Sequence, residues 1–150
     1  ELILWVPEPV TDALIVDAFA TLDPHDDIGG GPVLLLGLYQ SKVSAPYYAL
    51  PNASDLSIFF GLLRRADPAT SERVDALRRD NERRYAEALE HGAGRYVCDT
   101  PPSLEDEAEL FWPQHYGELW PTLCALKRRY DPSGLFQSSW GSVAARRIKQ

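Results

Sequence analysis

The spacing of apolar residues switches repeatedly between strand and helix periods over residues 2–99, and this succession restricts the fold more than any bulk property. "LILWV" (Leu2–Val6) is an unbroken apolar run closed by Pro7 and predicts a strand. In "VTDALIVDAFATL", Val10, Ala13, Leu14, Ala18 and Leu22 recur at helical spacing, with Thr11 or Asp12 near the start. "DPHDDIGGGP" (Asp23–Pro32) has the composition of a loop. "VLLLGLY" (Val33–Tyr39) predicts a second, buried strand. "LSIFFGLLRR" (Leu56–Arg65) predicts a third, with Leu56, Ile58, Phe60 and Leu62 on one face. Asp67 and Pro68 then open the strongest helical pattern, which runs to about His91 and stops at Gly92. Its expected surface pairs are Asp75–Arg79 and Asp80–Arg84, and its expected buried side is Val74, Leu77, Tyr85, Ala88 and Leu89. "RYVCD" (Arg95–Asp99) predicts a fourth strand.

The order β-α-β-β-α-β is the split βαβ pattern. It implies an α+β, ferredoxin-like antiparallel sheet with both helices on one face, occupying residues 1–100. Residues 101–150 fall outside that pattern. Ser103 can cap a helix beginning at Leu104, with acids in its first turns. Pro113 and Pro121 interrupt or restart it, the helical pattern continues to Tyr130, and Asp131-Pro132 ends it as a turn. The result is an aromatic C-terminal helix followed by a tail without clear period.

A net charge of −7 argues against binding nucleic acid or an anionic membrane through bulk electrostatics. No apolar run approaches the ~18 residues of a membrane span. Cys98 and Cys124 form no C-x-x-C pattern, so neither a zinc site nor a redox dithiol is expected. The paired arginines (Arg64-Arg65, Arg78-Arg79, Arg83-Arg84, Arg128-Arg129, Arg146-Arg147) read as solvated faces. The chain contains no methionine, carries no signal peptide and opens directly on a strand-like run, so it is expected to be cut from a longer polypeptide. Its compartment is left open.

Candidate sites are few. Gly29–Gly31 lacks the G-K-[ST] ending of a phosphate loop and reads as a turn. His25, Asp26 and Asp27 form no recognised metal motif. His91 reads as structural, in the last turn of its helix. His115 stands in "FWPQHYGELWPTL", where Trp112, Tyr116, Leu119 or Trp120, and Leu123 share a helical face. That stripe suits a docking helix, and Gly117 would permit close approach of another backbone. A catalytic His115 would need a partnered nucleophile and an orienting acid, and no motif supplies them.

The spacing Trp112-x-x-His115-Tyr116-Gly117-x-x-Trp120-x-x-Leu123-x-x-x-Lys127-x-x-Tyr130-Asp131-Pro132 resembles the C-terminal signature of cytokinin dehydrogenases and related FAD-linked oxidases, W-x-x-H-F-G-x-x-W-x-x-F-x-x-x-K-x-x-F-D-P. Upstream, "LWVP" from Leu4, "LYQSK" from Leu38, Leu50-Pro51, Phe59-Phe60, Leu63-Arg64 and Asn81 are similar to family positions in the same order, over about residues 2–140. The resemblance implies the later part of a substrate (cap) domain and the segment returning to a flavin domain. It implies FAD held mainly by a domain outside this chain, which would be this chain's partner together with a small-molecule substrate. It also implies hydride transfer from a substrate carbon to flavin. Trp112, His115, Tyr116, Gly117, Trp120, Lys127, Asp131 and Pro132 would be structural or supporting residues. Trp140, standing where the family has a glutamine near the flavin, would be the cofactor contact. The family's Y-L-P-H-Y segment is replaced here by "YVCDTPPSLEDEAEL", so the substrate is left at a small amine or alcohol. Two other readings stay open: a stand-alone ferredoxin-like module covering its bare apolar faces by self-association, and a small cofactor-free enzyme using His115.

Overall fold

The computed structural model describes residues 1–44, 50–51, 53–96 and 105–135, the side chains of 105–110 excepted. The chain divides into two compact units, Glu1–Asp99 and Thr100–Gln150.

The first unit is the βαββαβ arrangement expected from the sequence. Strands β1 (Leu2–Pro7), β2 (Val33–Tyr39), β3 (Leu56–Leu62) and β4 (Gly94–Arg95) form one sheet in the order β2-β3-β1-β4. All three pairings are antiparallel. Helix α1 (Glu8–Thr21) follows β1, and α2 (Ser71–Glu90) follows β3. Each helix therefore connects strands that lie two places apart and run the same way, and this is the split βαβ topology.

Register places Leu2, Leu4 and Val6 beside Leu62, Phe60 and Ile58, and Leu62 beside Val33. Because side chains alternate along a strand, these residues share one face. Ala18 and Ala88 seal that face, with Val10, Leu14, Ile15, Leu22 and Tyr85 packed around them, so both helices cover the same side. Each fully buried Leu or Val there contributes about 1.5–3 kcal/mol. The other face carries Ile3, Trp5 and Phe59, and β1 is buried along its whole length.

Several local expectations are corrected. Helix α2 begins at Ser71, not at Pro68. Thr70 caps it, its hydroxyl accepting the Arg73 N–H at 3.3 Å. Val74 and Leu89 are exposed, while the buried inner positions are Asn81, Arg84 and Ala88. Asp75 pairs with Arg78 at 3.3 Å, one residue short of the expected partner. Strand β3 ends at Leu62, three residues short of the expected Arg65, although Leu63 N–H still reaches Pro32 O at 3.2 Å and Arg65 N–H reaches Ile28 O at 3.0 Å. The "loop" after α1 contains a π-helical turn, Pro24–Ile28, whose capping residue Asp23 accepts the N–H groups of His25 and Asp26. Those donors, Asp26 first, hold the Asp23 carboxyl below its ordinary range. Gly92 does stop α2, with φ +76°. The ladder of β4 continues through Tyr96 N–H to Ile3 O at 2.9 Å. The remaining residues of the expected fourth strand, Cys98 among them, lie outside the described residues, as do Ser103 and Leu104.

The second unit consists of α3 (Glu105–Tyr116), a 3₁₀ turn (Gly117–Leu119) and α4 (Trp120–Tyr130). Pro113 lies inside α3 rather than ending it. Pro121 sits in the first turn of α4, where its missing N–H is not required.

Candidate functional site

Two arrangements stand out, one in each unit. In the first unit, Asp80 of α2 is a charge hub. Arg64, just past β3, donates to its Oδ2 at 2.5 Å, Arg84 donates to the same oxygen at 2.9 Å, and Arg83 donates to Oδ1 at 2.9 Å. Arg64 also reaches Asn81 Oδ1 at 3.0 Å and Leu77 O at 3.4 Å. Asn81 Nδ2 donates to Glu1 O at 3.2 Å, and Arg84 donates to Thr21 Oγ1 at 3.0 Å. One helix thus ties down the start of β1, the end of α1 and the exit of β3. Burial raises the Asp80 pKa, but the hydrogen bonds from Arg84, Arg64 and Arg83 together outweigh it and hold the carboxyl at about 2.

The reading of these arginines as solvated is overturned for two of them. The Arg64 side chain is 1% exposed and that of Arg84 is 8% exposed. Asn81 was legible as a family position but not as a buried one. The available signal was a polar residue at the helical spacing of Leu77, Arg84 and Ala88.

Further along α2, Arg73 donates to His25 O at 3.3 Å and to Asp26 O at 2.8 Å, fixing the π-helical turn. The triglycine beside it is packed against its own chain. A Cβ at Gly29 would stand 1.9 Å from Arg65 O, and one at Gly31 would stand 1.7 Å from Leu63 O. Gly31 N–H is already given to Ile28 O at 3.2 Å. Gly29 and Gly31 answer to close backbone contact, Gly30 stands in open space at φ +77°, and this loop is not shaped as a cradle for a phosphate. Among the described residues no group of three or more His, Cys, Asp or Glu is placed to hold a metal ion. No helix among them is long and apolar enough to cross a membrane.

On the sheet face away from the helices, Trp5, Phe59 and Tyr96 form an edge-to-face trio with centroids 5.0, 5.4 and 6.1 Å apart.

The second unit holds the tryptophan-rich segment. The rings of Trp112, Tyr116 and Trp120 are within 8° of parallel, with centroids 5.8 and 6.3 Å apart. Eight residues of straight helix would separate Trp112 and Trp120 by about 12 Å along the axis. The chain instead bends at Gly117, whose φ is +50°. Among the described residues nothing comes within 4 Å of where its Cβ would be, and what these residues show to favour glycine there is the left-handed backbone.

His115 stacks on Phe111 at 5.1 Å and meets Tyr116 edge-on at 4.7 Å. Burial raises the Tyr116 pKa, and it also raises that of Cys124, which Arg128 partly offsets. Lys127 pairs with Asp131, which is buried, and Asp131 Oδ1 accepts Leu135 N–H at 2.7 Å, closing the turn after Pro132. The structure therefore groups Trp112, His115, Tyr116 and Trp120 around the bend, and sets Lys127 and Asp131 together at the end of α4. Trp140 lies outside the described residues.

Comparison with known proteins places this geometry. The family described as "Cytokinin dehydrogenase 1, FAD and cytokinin binding" matches residues 2–140. The chain is also similar to a protein of Rhodococcoides fascians described as "Uncharacterized oxidoreductase ORF5 in fasciation locus", 27% identical over 108 residues. That alignment takes in 71% of this chain and 23% of the relative, so the chain spans about a quarter of the length of the protein it matches. With a family match running through both the sheet unit and the aromatic helices, the chain belongs to the cytokinin dehydrogenase FAD- and cytokinin-binding family.

Proposed function

We propose that this chain is the C-terminal portion of the substrate domain of an FAD-dependent oxidoreductase. The whole protein oxidises a small amine or alcohol by hydride transfer from a substrate carbon to flavin. The observation that carries this reading is the family match over residues 2–140, which takes in the sheet unit and the aromatic signature together. In this reading the flavin is held mainly by another domain of the parent protein, with this chain contributing structure around it. In this reading Trp112, Tyr116 and Trp120 brace the bend at Gly117. His115 acts as a supporting group in that aromatic packing and not as a base. Lys127, Asp131 and Pro132 fix the turn that leads toward Trp140, the residue proposed to touch the cofactor.

The test is the absorption spectrum of the protein expressed from its whole reading frame. Flavin bands between about 350 and 450 nm, bleached anaerobically by an oxidisable amine or alcohol, are expected. A colourless, flavin-free protein would sink the proposal.

A further inference from the structure

Gln40, the residue after β2, gathers three distant points of the chain. Its side-chain nitrogen donates to Pro51 O, to Ser54 O at 2.8 Å and to Ser57 Oγ at 3.0 Å. These acceptors stand 11, 14 and 17 residues further along the chain. Two of them are carbonyl oxygens, which only accept, so the carboxamide must present its nitrogen and not its oxygen. Ser57 is 0% exposed and Pro51 is buried, and a buried acceptor left without a donor is costly.

The register locates this contact. Ser57 pairs with Pro7 on one side and with Leu38 on the other. With Trp5 and Phe59 it therefore belongs to the sheet face away from the helices, where it is a polar residue among apolar ones. The mouth of the β2–β3 connection is fixed separately. Gln40 N–H reaches Asp55 O at 2.7 Å, and the Asp55 carboxylate accepts Ser41 N–H at 2.8 Å and the Ser41 hydroxyl at 3.0 Å. The Gln40 carboxamide carries the tie beyond that mouth, to Ser54 and Pro51.

We propose that Gln40 is the positioning residue of this connection. Acting as a donor, its carboxamide holds Pro51 and Ser54 against Ser57, and its release is a local opening that leaves the sheet paired. The ladders support that division, because β3 is paired with β1 and β2 from Ser57 to Leu62 without the Gln40 side chain. The contact lies wholly within the sheet unit and does not depend on the flavoprotein reading.

Side-chain amide exchange in the whole chain reads the contact directly. The two side-chain N–H protons of Gln40 should exchange about tenfold more slowly than those of Gln114, which is exposed. Gln40→Met keeps the length of the side chain and removes both donors. It should speed backbone exchange about tenfold at Leu56, whose N–H bonds Ser54 Oγ at 3.2 Å. Leu4 and Phe60, in the middle of the ladder, should keep their native rates. Asp55→Ala, which cuts the mouth, should speed Ser41 and leave the Gln40 side-chain protons slow. Native Gln40 protons as fast as those of Gln114 overturn the proposal without any variant. Fast Gln40 protons in Asp55→Ala also overturn it, because the mouth is then the anchor. Leu56 unchanged in Gln40→Met overturns it too, and so does equal acceleration at Leu56 and Phe60, which marks a loss of overall stability.

Discussion

Replacing Asp80 with asparagine removes one charge and leaves two guanidinium groups, on side chains 1% and 8% exposed, facing a neutral amide. Two routes set the magnitude. Lowering the carboxyl from 3.8 to about 2 corresponds to roughly 2.5 kcal/mol. The 27% exposure of Asp80 lets solvent screen part of that, leaving about 1–2 kcal/mol. Removing one partner of a well-buried ion pair costs about 3–5 kcal/mol. Here Arg64 keeps Asn81 Oδ1 and Arg84 keeps Thr21 Oγ1, so the loss falls below that range. About 2–3 kcal/mol is expected at pH 7. In urea unfolding followed by far-ultraviolet circular dichroism, the midpoint should drop by about 1–1.5 M. The pH dependence is the stricter part. A carboxyl depressed in the folded state contributes stability that is fully present above its unfolded value of 3.8 and is lost as the pH falls through about 2. The gap between the native chain and Asp80→Asn should therefore be constant from pH 7 to about 5 and narrow below that. A midpoint change under about 0.3 M at pH 7, or a gap unchanged to the acid limit of folding, refutes the hub as the source of stability.

Two glycine contrasts test the backbone arguments by thermal or urea unfolding. Gly31→Ala should cost about 3 kcal/mol, because its Cβ meets the Leu63 carbonyl, while Gly30→Ala, in open space at φ +77°, should cost about 1 kcal/mol. Equal losses would remove close packing as the reason for the triglycine. Gly117→Ala should cost about 1–2 kcal/mol from left-handed strain alone, and Gly117→Asn should cost less. The reverse order would point to crowding at the bend instead.

The sheet was legible because its information is local. Leu56, Ile58, Phe60 and Leu62 alternate along the sequence, and alternation fixes a face whatever lies across from it. Val33–Tyr39 was read to the residue from its unbroken apolar run, but it is not the buried strand that run predicts: Leu35, Leu36 and Tyr39 are exposed, because the run is the outer strand of the described sheet. Where an element ends depended on competing local signals. Pro68 and Thr70 both open helices, and the side-chain hydroxyl won because it satisfies an N–H that proline can only omit. The polar hub was illegible for a different reason. Asp80–Arg84 is visible as an i,i+4 pair, but nothing in the sequence says that Arg64, sixteen residues earlier, comes to the same carboxylate. That contact exists only because β3 ends beside the middle of α2, and it turns an expected surface pair into a buried one.

The bend at Gly117 carries the same lesson into the candidate site. Residues 112, 116 and 120 lie at spacings of four, so the sequence correctly groups them on one face. A shared face on a straight helix is a ladder, in which the first and third rings do not touch. The structure brings them to 6.3 Å, a cluster rather than a ladder, and glycine makes the difference by turning the backbone left-handed. A glycine in a helical pattern signals either close approach or positive φ, and the sequence does not choose between them. The choice matters for function. Close approach would make the segment a flat docking surface. A bend makes it a folded aromatic knot in which His115 is held by Phe111 and Tyr116. The order of tryptophan, histidine, tyrosine and glycine from Trp112 to Gly117 then describes one turn in this chain. Its histidine is placed by that turn, and Trp112 and Trp120 are the residues whose replacement would open it.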